Sequence, residues 1–309
     1  MMTYEELIYR QSWTLEQKID HAVGVVSAFT DKVNGKIYAS FSGGKDSTVM
    51  LDIIQRFVVK NIPAVFCNTG NEFPEILQFV GKTKNVTVIR PKIRIKQIIE
   101  KYGFPLVSKE QSRYINQAKH TKSEKLLNIR LNGSKKGIGK ISEKWKFLIQ
   151  APFDVSEKCC DYLKKKPFQK FGKETGLFPI IGTMAGESRL RLQKWLKHGC
   201  NSFETNMLSS YPLSIWTETD IWAYIHKFGI PYSPIYDKGI KRTGCMFCGF
   251  GCHFKDDRRF YFLKENKPKI YEYFMQMSNN GISYREALQF CGIDFPDKIG
   301  KQSKLNFKL

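Results

Sequence analysis

Apolar positions at Leu7, Ile8, Trp13, Leu15, Ile19, Val23, Val26 and Phe29 recur at helical spacing and predict an amphipathic lead-in over 4–29. Lys36–Phe41 is a β-branched and aromatic run that predicts a buried strand, and Thr48–Phe57 returns to helical spacing. Pro63–Cys67 predicts a second strand, followed by the polar loop Asn68–Pro74, a helix over 75–84 and a third strand at Val86–Arg90. This alternation of strand, loop and helix predicts an α/β fold, a parallel doubly wound sheet with its ligand over the strand C-termini.

Ser108–Ala151 breaks that rhythm. It is polar and basic, and predicts an inserted helical excursion with a flexible tip at Asn132–Gly139. Phe178–Thr183 predicts another core strand, and Ile215–Phe228 a helix capped by Thr217 or a polar neighbour. Residues 256–309 are aromatic and basic and predict a helical appendage. The expected division is therefore a nucleotide-binding domain over 1–255, with a basic insertion near 108–157 and a cysteine-bearing region over 159–252, followed by the appendage. No internal repeat is evident.

With 309 residues and 42% hydrophobic content, the chain can bury a sizeable core. No run approaches the ~18 apolar residues of a membrane span. Met1–Glu6 carries acids where a signal peptide would be basic, so a cytoplasmic location is expected. The formal charge of +21 points to a polyanionic partner. From Arg113 to Lys146 ten Lys or Arg stand against Glu124 and Glu143 alone. The competing explanation is a Lys-rich composition, 38 Lys against 12 Arg, with no partner behind it.

The chemistry concentrates in Ser40-Phe41-Ser42-Gly43-Gly44-Lys45-Asp46-Ser47-Thr48. A strand, a Gly-Gly turn and a helix start make an anion site, because glycines admit close backbone approach and the first helical turn adds partial positive charge. Lys45 supplies a cation, Ser42 and Ser47 supply hydroxyl donors, and Asp46 is a candidate ligand for Mg²⁺. The spacing is not that of the Walker loop, which needs four residues between its Gly and the Gly-Lys pair. A second constellation pairs Cys159-Cys160 with Cys245-Met246-Phe247-Cys248. Four thiolates suit Zn²⁺ or an iron–sulfur cluster. Adjacent cysteines chelate one tetrahedral ion poorly but can reach two irons of a cubane, which favours a 4Fe–4S cluster. Cys252 is a spare ligand or sulfur carrier, while Cys67, Cys200 and Cys291 suit plain buried thiols.

Together these residues resemble the phosphoadenosine-phosphosulfate (PAPS) reductase family of the PP-loop ATP pyrophosphatase superfamily, over roughly 36–254. The carriers are Ser42–Ser47, Asn68-Thr69-Gly70-Asn71-Glu72-Phe73-Pro74, Cys159-Cys160 with Lys164 and Pro167, and Gly182 with Glu187-Ser188 and Arg191. Pro212-Leu213, Trp216–Trp222, Ile230-Pro231-Tyr232, Tyr236, Gly239, Arg242 and Gly244-Cys245-x-x-Cys248 complete the set. The resemblance implies nucleotide contacts at Ser40, Ser42–Ser47, Asn68, Thr69, Gly70, Glu72, Lys164, Gly182, Glu187, Arg191 and Arg242, with Lys45, Asp46 and Arg191 catalytic. It also implies a 4Fe–4S cluster on the four cysteines, as in adenylyl-sulfate reductases and the related DNA-phosphorothioation enzymes.

Three departures shape the expected function. Reductases of the family typically end in a Glu-Cys-Gly-[Leu/Ile]-His tail, which this sequence lacks; Phe290-Cys291-Gly292-Ile293-Asp294 echoes it without the Glu or His. Met184 stands where the family usually has Arg, and the intact Lys45-Asp46 looks like ATP-using members. The leading expectation is an ATP pyrophosphatase, working with Mg²⁺, that adenylates a substrate in sulfur transfer to nucleic acid, DNA or tRNA, with a sulfur-donor protein as a further partner. The alternatives are thiol-dependent reduction of adenylyl sulfate or PAPS through Cys291 or Cys252, and an iron–sulfur nucleotide-binding regulator.

Overall fold

In the computed structural model, residues 2–135, 137–204, 208–254 and 257–298 are described. Ten strands run along them: β1 (Ile37–Phe41), β2 (Ala64–Cys67), β3 (Val86–Ile89), β4 (Leu106–Val107), β5 (Phe178–Ile181), β6 (Asn201–Ser202), β7 (Ser209–Ser210), β8 (Gly249–Phe250), β9 (Ser278–Asn279) and β10 (Ile282–Ser283). The chain forms two compact units. The first comprises Met1–Asn68, Glu72–Arg90 and Pro167–Thr243; the second comprises Thr69–Asn71, Pro91–Lys166 and Gly244–Leu309. The expected boundary at 255 falls inside the second unit, which holds both the basic insertion and the C-terminal stretch.

The first unit is built on a six-stranded sheet of order β3-β2-β1-β5-β7-β6. It is parallel except at the edge, where β6 runs antiparallel to β7. The α/β fold and its mostly parallel sheet agree with the sequence pattern. β1 and β2 are buried nearly throughout, which is why both read as continuous apolar runs. The lead-in is two helices, Tyr4–Gln11 and Leu15–Lys32. Thr14 starts the second by accepting from the Gln17 amide at 3.2 Å while Gln17 Oε1 accepts from the Thr14 amide at 2.9 Å.

That second helix is fastened to Glu218–Phe228 by a buried ion pair. Lys18, 2% exposed, donates to Asp220 Oδ2 at 2.8 Å and to the Gln11 carbonyl at 2.7 Å. The same Asp220 oxygen accepts from the amide and hydroxyl of Thr217, each at 2.7 Å, so one carboxylate both caps its own helix and neutralises a lysine 202 residues away.

The second unit packs helices around two short ladders, β4 parallel to β8 and β9 antiparallel to β10. The excursion contains the helices Lys109–His120 and Glu124–Asn132 and the 3-10 turn Glu143–Gln150. Its tip is tied down: Arg130 donates to the Gly139 carbonyl at 2.8 Å and lies 4.3 Å over the Tyr114 ring. Lys136 is outside the described residues. The C-terminal stretch supplies core. Tyr284 stacks on Phe104 at 5.2 Å and donates to the Phe247 carbonyl at 2.9 Å, and Phe247 stacks on Phe274 at 4.6 Å. The buried Asn279 donates to the carbonyls of Ile99 and Glu100 and accepts from the Asp154 amide. Gly103, at φ +92, has no room for a side chain, since a Cβ would lie 2.1 Å from the Asp154 oxygen. Residues 299–309 lie outside the described residues. No described helix is long and apolar enough to cross a membrane.

Asp220→Ala is expected to lower the unfolding free energy by about 3–5 kcal/mol, because it strands the buried Lys18 ammonium. Adding Lys18→Met should recover much of that loss. Urea denaturation of the two variants checks this; equal stability would show that Lys18 does not need Asp220.

Candidate functional site

β1 ends at Phe41, and the backbone turns through Gly43, at φ +70, into the helix Lys45–Phe57. Both glycines are required by their surroundings. A Cβ on Gly43 would lie 2.7 Å from Val80 Cγ2, and one on Gly44 would lie 2.8 Å from Thr243 Oγ1 and 3.1 Å from the Tyr236 hydroxyl. Ser42 and Ser47 hold the turn from inside: the Ser42 amide donates to Ser47 Oγ at 3.1 Å and the two hydroxyls meet at 3.0 Å. Thr48 and Ser47 both donate to the Gly44 carbonyl. The turn therefore presents the amides of a helix start, the arrangement that binds anions.

One of those amides is engaged. The Lys45 N–H donates to the Tyr236 hydroxyl at 2.8 Å, and that hydroxyl lies 2.9 Å from Thr243 Oγ1. An oxygen already stands where an anion's oxygen would be received. Tyr236 is 191 residues from Lys45 in sequence, and no local pattern marks it as the partner of the turn. Asp46 follows closely on Gly182, whose missing Cβ leaves room for the Asp46 carbonyl; a Cβ there would lie 3.0 Å from it.

Lys45 is 5% exposed, with its ammonium 3.2 Å from Asp46 Oδ1 and 3.4 Å from Glu218 Oε1. Burial works against the charge, yet Asp46, Tyr236 and Glu218 together hold its pKa above the ordinary lysine value. Burial raises the Asp46 pKa; Lys45 opposes this, while the nearby charges of Glu187 and Glu218 add to it. Arg191 pairs with Glu187, whose other duty is to accept from the Met184 amide at 2.8 Å. Lys45, Asp46, Glu187 and Arg191 thus belong to one electrostatic network in the first unit. Ser40 sits within β1, paired to Val65 and Ile181. Asn68 continues β2, its amide donating to the Ile89 carbonyl, and Arg242 is exposed.

A cleft of about 190 Å³ opens just after Gly182, lined by Thr183, Met184, Arg191, Lys194, Trp195 and Tyr211 among others. Lys194 lies 4.0 Å over the Tyr211 ring and donates to its hydroxyl. Met184, in the place expected of an Arg, is 6% exposed and gives the cleft an apolar wall. Two cations beside an aromatic and apolar wall suit an anionic group carried on a planar or apolar body. Lys194 and Tyr211 were not expected as site residues; neither lies in a motif.

In the second unit the expected thiols form their own cluster of charge. The Cys159 thiol donates to Cys160, which raises the pKa of Cys159 and, with Lys109 and Lys164 nearby, lowers that of Cys160 to about 6. Cys159 also senses the charges of Cys245 and Cys248, although the two pairs are far apart in sequence. Burial raises the Cys248 thiol, against Arg259, which donates to the Cys248 carbonyl at 2.6 Å. Lys164, expected beside the nucleotide, reaches Cys160 and Cys248 with its charge. Thr69, Gly70 and Asn71 also belong to this unit, the Asn71 carbonyl accepting from the Met246 amide at 2.8 Å, whereas Glu72 is buried in the first. Among the described residues no three His, Cys, Asp or Glu side chains are gathered as ligands of one ion. Four tetrahedral thiolates on zinc would lie about 3.8 Å apart, as a Zn–S bond of about 2.3 Å dictates; a cubane spreads them more widely.

Gly44→Val is expected to push into Tyr236 and Thr243 and to weaken binding of a polyphosphate probe such as ATP at the turn about tenfold or more, the worth of a charge-assisted hydrogen bond. Calorimetric titration beside a melting curve checks it, and unchanged affinity in a folded variant would place the phosphates elsewhere.

The model of the phosphoadenosine phosphosulfate reductase domain matches residues 36–249. An uncharacterized protein of Methanocaldococcus jannaschii is 25% identical over 231 residues, 74% of this chain but 39% of that protein, so the chain spans well under half of its length. An adenosine 5'-phosphosulfate reductase of Anoxybacillus flavithermus is 25% identical over 269 residues, 84% of this chain and 93% of that one. Among solved structures, a phosphoadenylyl-sulfate reductase of Candida auris is similar at a TM-score of 0.42 and 16% identity, covering 79% of this chain and 96% of that one. With the α/β sheet, the glycine turn at its C-terminal edge and a domain match over most of its length, the chain belongs to the phosphoadenosine phosphosulfate reductase domain family.

Proposed function

We propose that the chain is an ATP pyrophosphatase that adenylates an oxygen of its acceptor, making that oxygen a leaving group for sulfur, with nucleic acid as the acceptor. The observation that carries this reading is Lys45: a buried ammonium kept charged by Asp46 and Glu218, at the start of the helix that follows the glycine turn. The β- and γ-phosphates, with Mg²⁺, would sit on Ser42–Ser47. The acceptor oxygen attacks the α-phosphorus and the bridging bond to the β-phosphate breaks. Charge gathering on the departing pyrophosphate meets Lys45 and Arg191. The cleft with Arg191 and Lys194 would hold an anionic part of the reacting molecule.

A 4Fe–4S cluster fits the donor set of the second unit. Cys159, Cys160, Cys245 and Cys248 would supply its ligands, and Lys109, Lys164 and Arg259 would offset the negative charge of a four-thiolate centre. Bound there, it would supply an electron-rich sulfur-binding centre or a brace for the fold.

Reduction of adenylyl sulfate is the second reading, and the names of relatives such as the Anoxybacillus flavithermus reductase favour it. The candidate nucleophiles do not. Cys252 and Cys291 are 4% and 7% exposed, and burial raises both thiols, Cys291 to about 12. A thiol so held is a poor nucleophile at neutral pH.

In anaerobically purified protein, ATP with an acceptor should release pyrophosphate, and Lys45→Met should reduce kcat about 10²–10³-fold, the range for removing one transition-state donor. Thiol-dependent release of sulfite from adenylyl sulfate, without pyrophosphate release from ATP, would overturn this in favour of the reductase. Iron and labile sulfide should both be found and be lost in Cys248→Ser; stoichiometric zinc without iron would replace the cluster with a zinc site.

A further inference from the structure

Positive charge is divided unevenly between the two units. The second has 30 Lys and Arg against 14 Asp and Glu, the first 20 against 15. An even scatter of lysines, the consequence of composition alone, would not give that contrast. One surface of the second unit adds rings to the charge. Phe254 is 58% and Phe147 42% exposed. They are joined by a connected aromatic run: Phe254 against His253 at 4.3 Å, His253 against Trp145 at 5.5 Å, and Trp145 against Phe147 at 6.2 Å. Phe147 is backed in turn by Phe290 at 5.6 Å. Trp145 is 6% exposed, so Phe147 rests directly on a buried ring and Phe254 reaches it through His253.

Charge accompanies them. The Lys144 ammonium stands 4.8 Å over the Trp145 ring, and Lys140 and Lys144 are exposed. Burial first, and Lys144 second, lower the His253 pKa, which favours the uncharged ring. An apolar peptide would be served by the rings but would gain nothing from the surrounding lysines. A duplex would satisfy the lysines and leave the rings facing water, because its bases are stacked on one another. Unpaired bases strung on a phosphate backbone satisfy both.

We infer that this surface is a docking platform for single-stranded nucleic acid, with bases stacked on Phe147 and Phe254 and phosphates drawn to Lys140 and Lys144. The inference rests on the nucleic-acid acceptor proposed above and goes beyond it in naming the surface and the strand form. It concerns binding alone and requires no cluster and no turnover.

The test is fluorescence anisotropy of the full chain with labelled 20-nucleotide oligo-dT, oligo-U and a duplex of equal length, across a salt series. The parent should bind single strands more tightly than the duplex, and the oligo-dT and oligo-U arms tell DNA from RNA. Phe147→Ala/Phe254→Ala should lose roughly tenfold or more in affinity, within the stacking range for alanine substitution, with its salt dependence unchanged. Phe254→Trp should retain binding, and Lys144→Gln should lower the salt slope by about one. ATP affinity should match the parent in every variant; the double alanine variant, which also loses the packing of Phe147 on Trp145 and Phe290, should melt somewhat lower while remaining folded. Equal oligonucleotide affinity in the parent and the double alanine variant would overturn the platform and leave the acceptor standing. Preference for duplex would overturn the single-strand assignment. No binding by the parent to any probe would overturn platform and acceptor together, while ATP turnover would still be judged by pyrophosphate release.

Discussion

The absence of two β-carbons, at Gly43 and Gly44, sets the geometry on which the first unit's chemistry depends. The left-handed conformation of Gly43 aims the chain from β1 into the helix Lys45–Phe57 under Val80 and Ile76, with no space left for a side chain. The bare Gly44 lets Tyr236 and Thr243 close on the backbone. From that placement follows the position of Lys45, whose ammonium is then forced among Asp46 and Glu218 rather than into solvent. A methyl group at either glycine would disturb amides, ammonium and carboxylates together.

The hydroxyl of Tyr236 gives this turn a resting occupant. Helix-start amides without a partner are costly when shielded from water, and the phenol relieves one of them. Any anion received at this amide must either share that donor or take it, so the phenol competes with it for the Lys45 N–H. The carboxylates around Lys45 act in the same direction: they keep the ammonium charged and partly neutralised, and a lone anion gains less from it than from an unpaired lysine.

The elements nearest the turn were the most legible in sequence. β1, β2 and the helix after Gly44 announce themselves because buried parallel strands need unbroken apolar runs and the helix needs its periodic face. β6 and β7 were not legible, since Asn201–Ser202 and Ser209–Ser210 are two residues each and polar, and only their neighbours make them strands. The lead-in reads as one helix because apolar spacing continues across the break, although Thr14 and Gln17 carry the capping signal. Within the site, Lys45 and Asp46 were legible in role, whereas Tyr236 was legible only as a carrier of the family resemblance; a phenol has no sequence signature as a backbone partner. The aromatic C-terminal stretch looked like an appendage for a related reason: Tyr284 and Phe274 find Phe104 and Phe247 only through the fold.

The course of the chain between the units has a consequence for its biosynthesis. It passes from one unit to the other five times, so neither is a continuous length of sequence. β1 waits for its neighbour β5 until residue 178 has been made, and β4 waits for β8 until residue 249. A protein whose units were consecutive could finish one while the ribosome was still making the next. Here both must be held half-built over much of translation: the first unit lacks its last segment until residue 243 has been made, and the second needs the stretch from 244 onward, so each waits with part of its core uncovered while the other is being made.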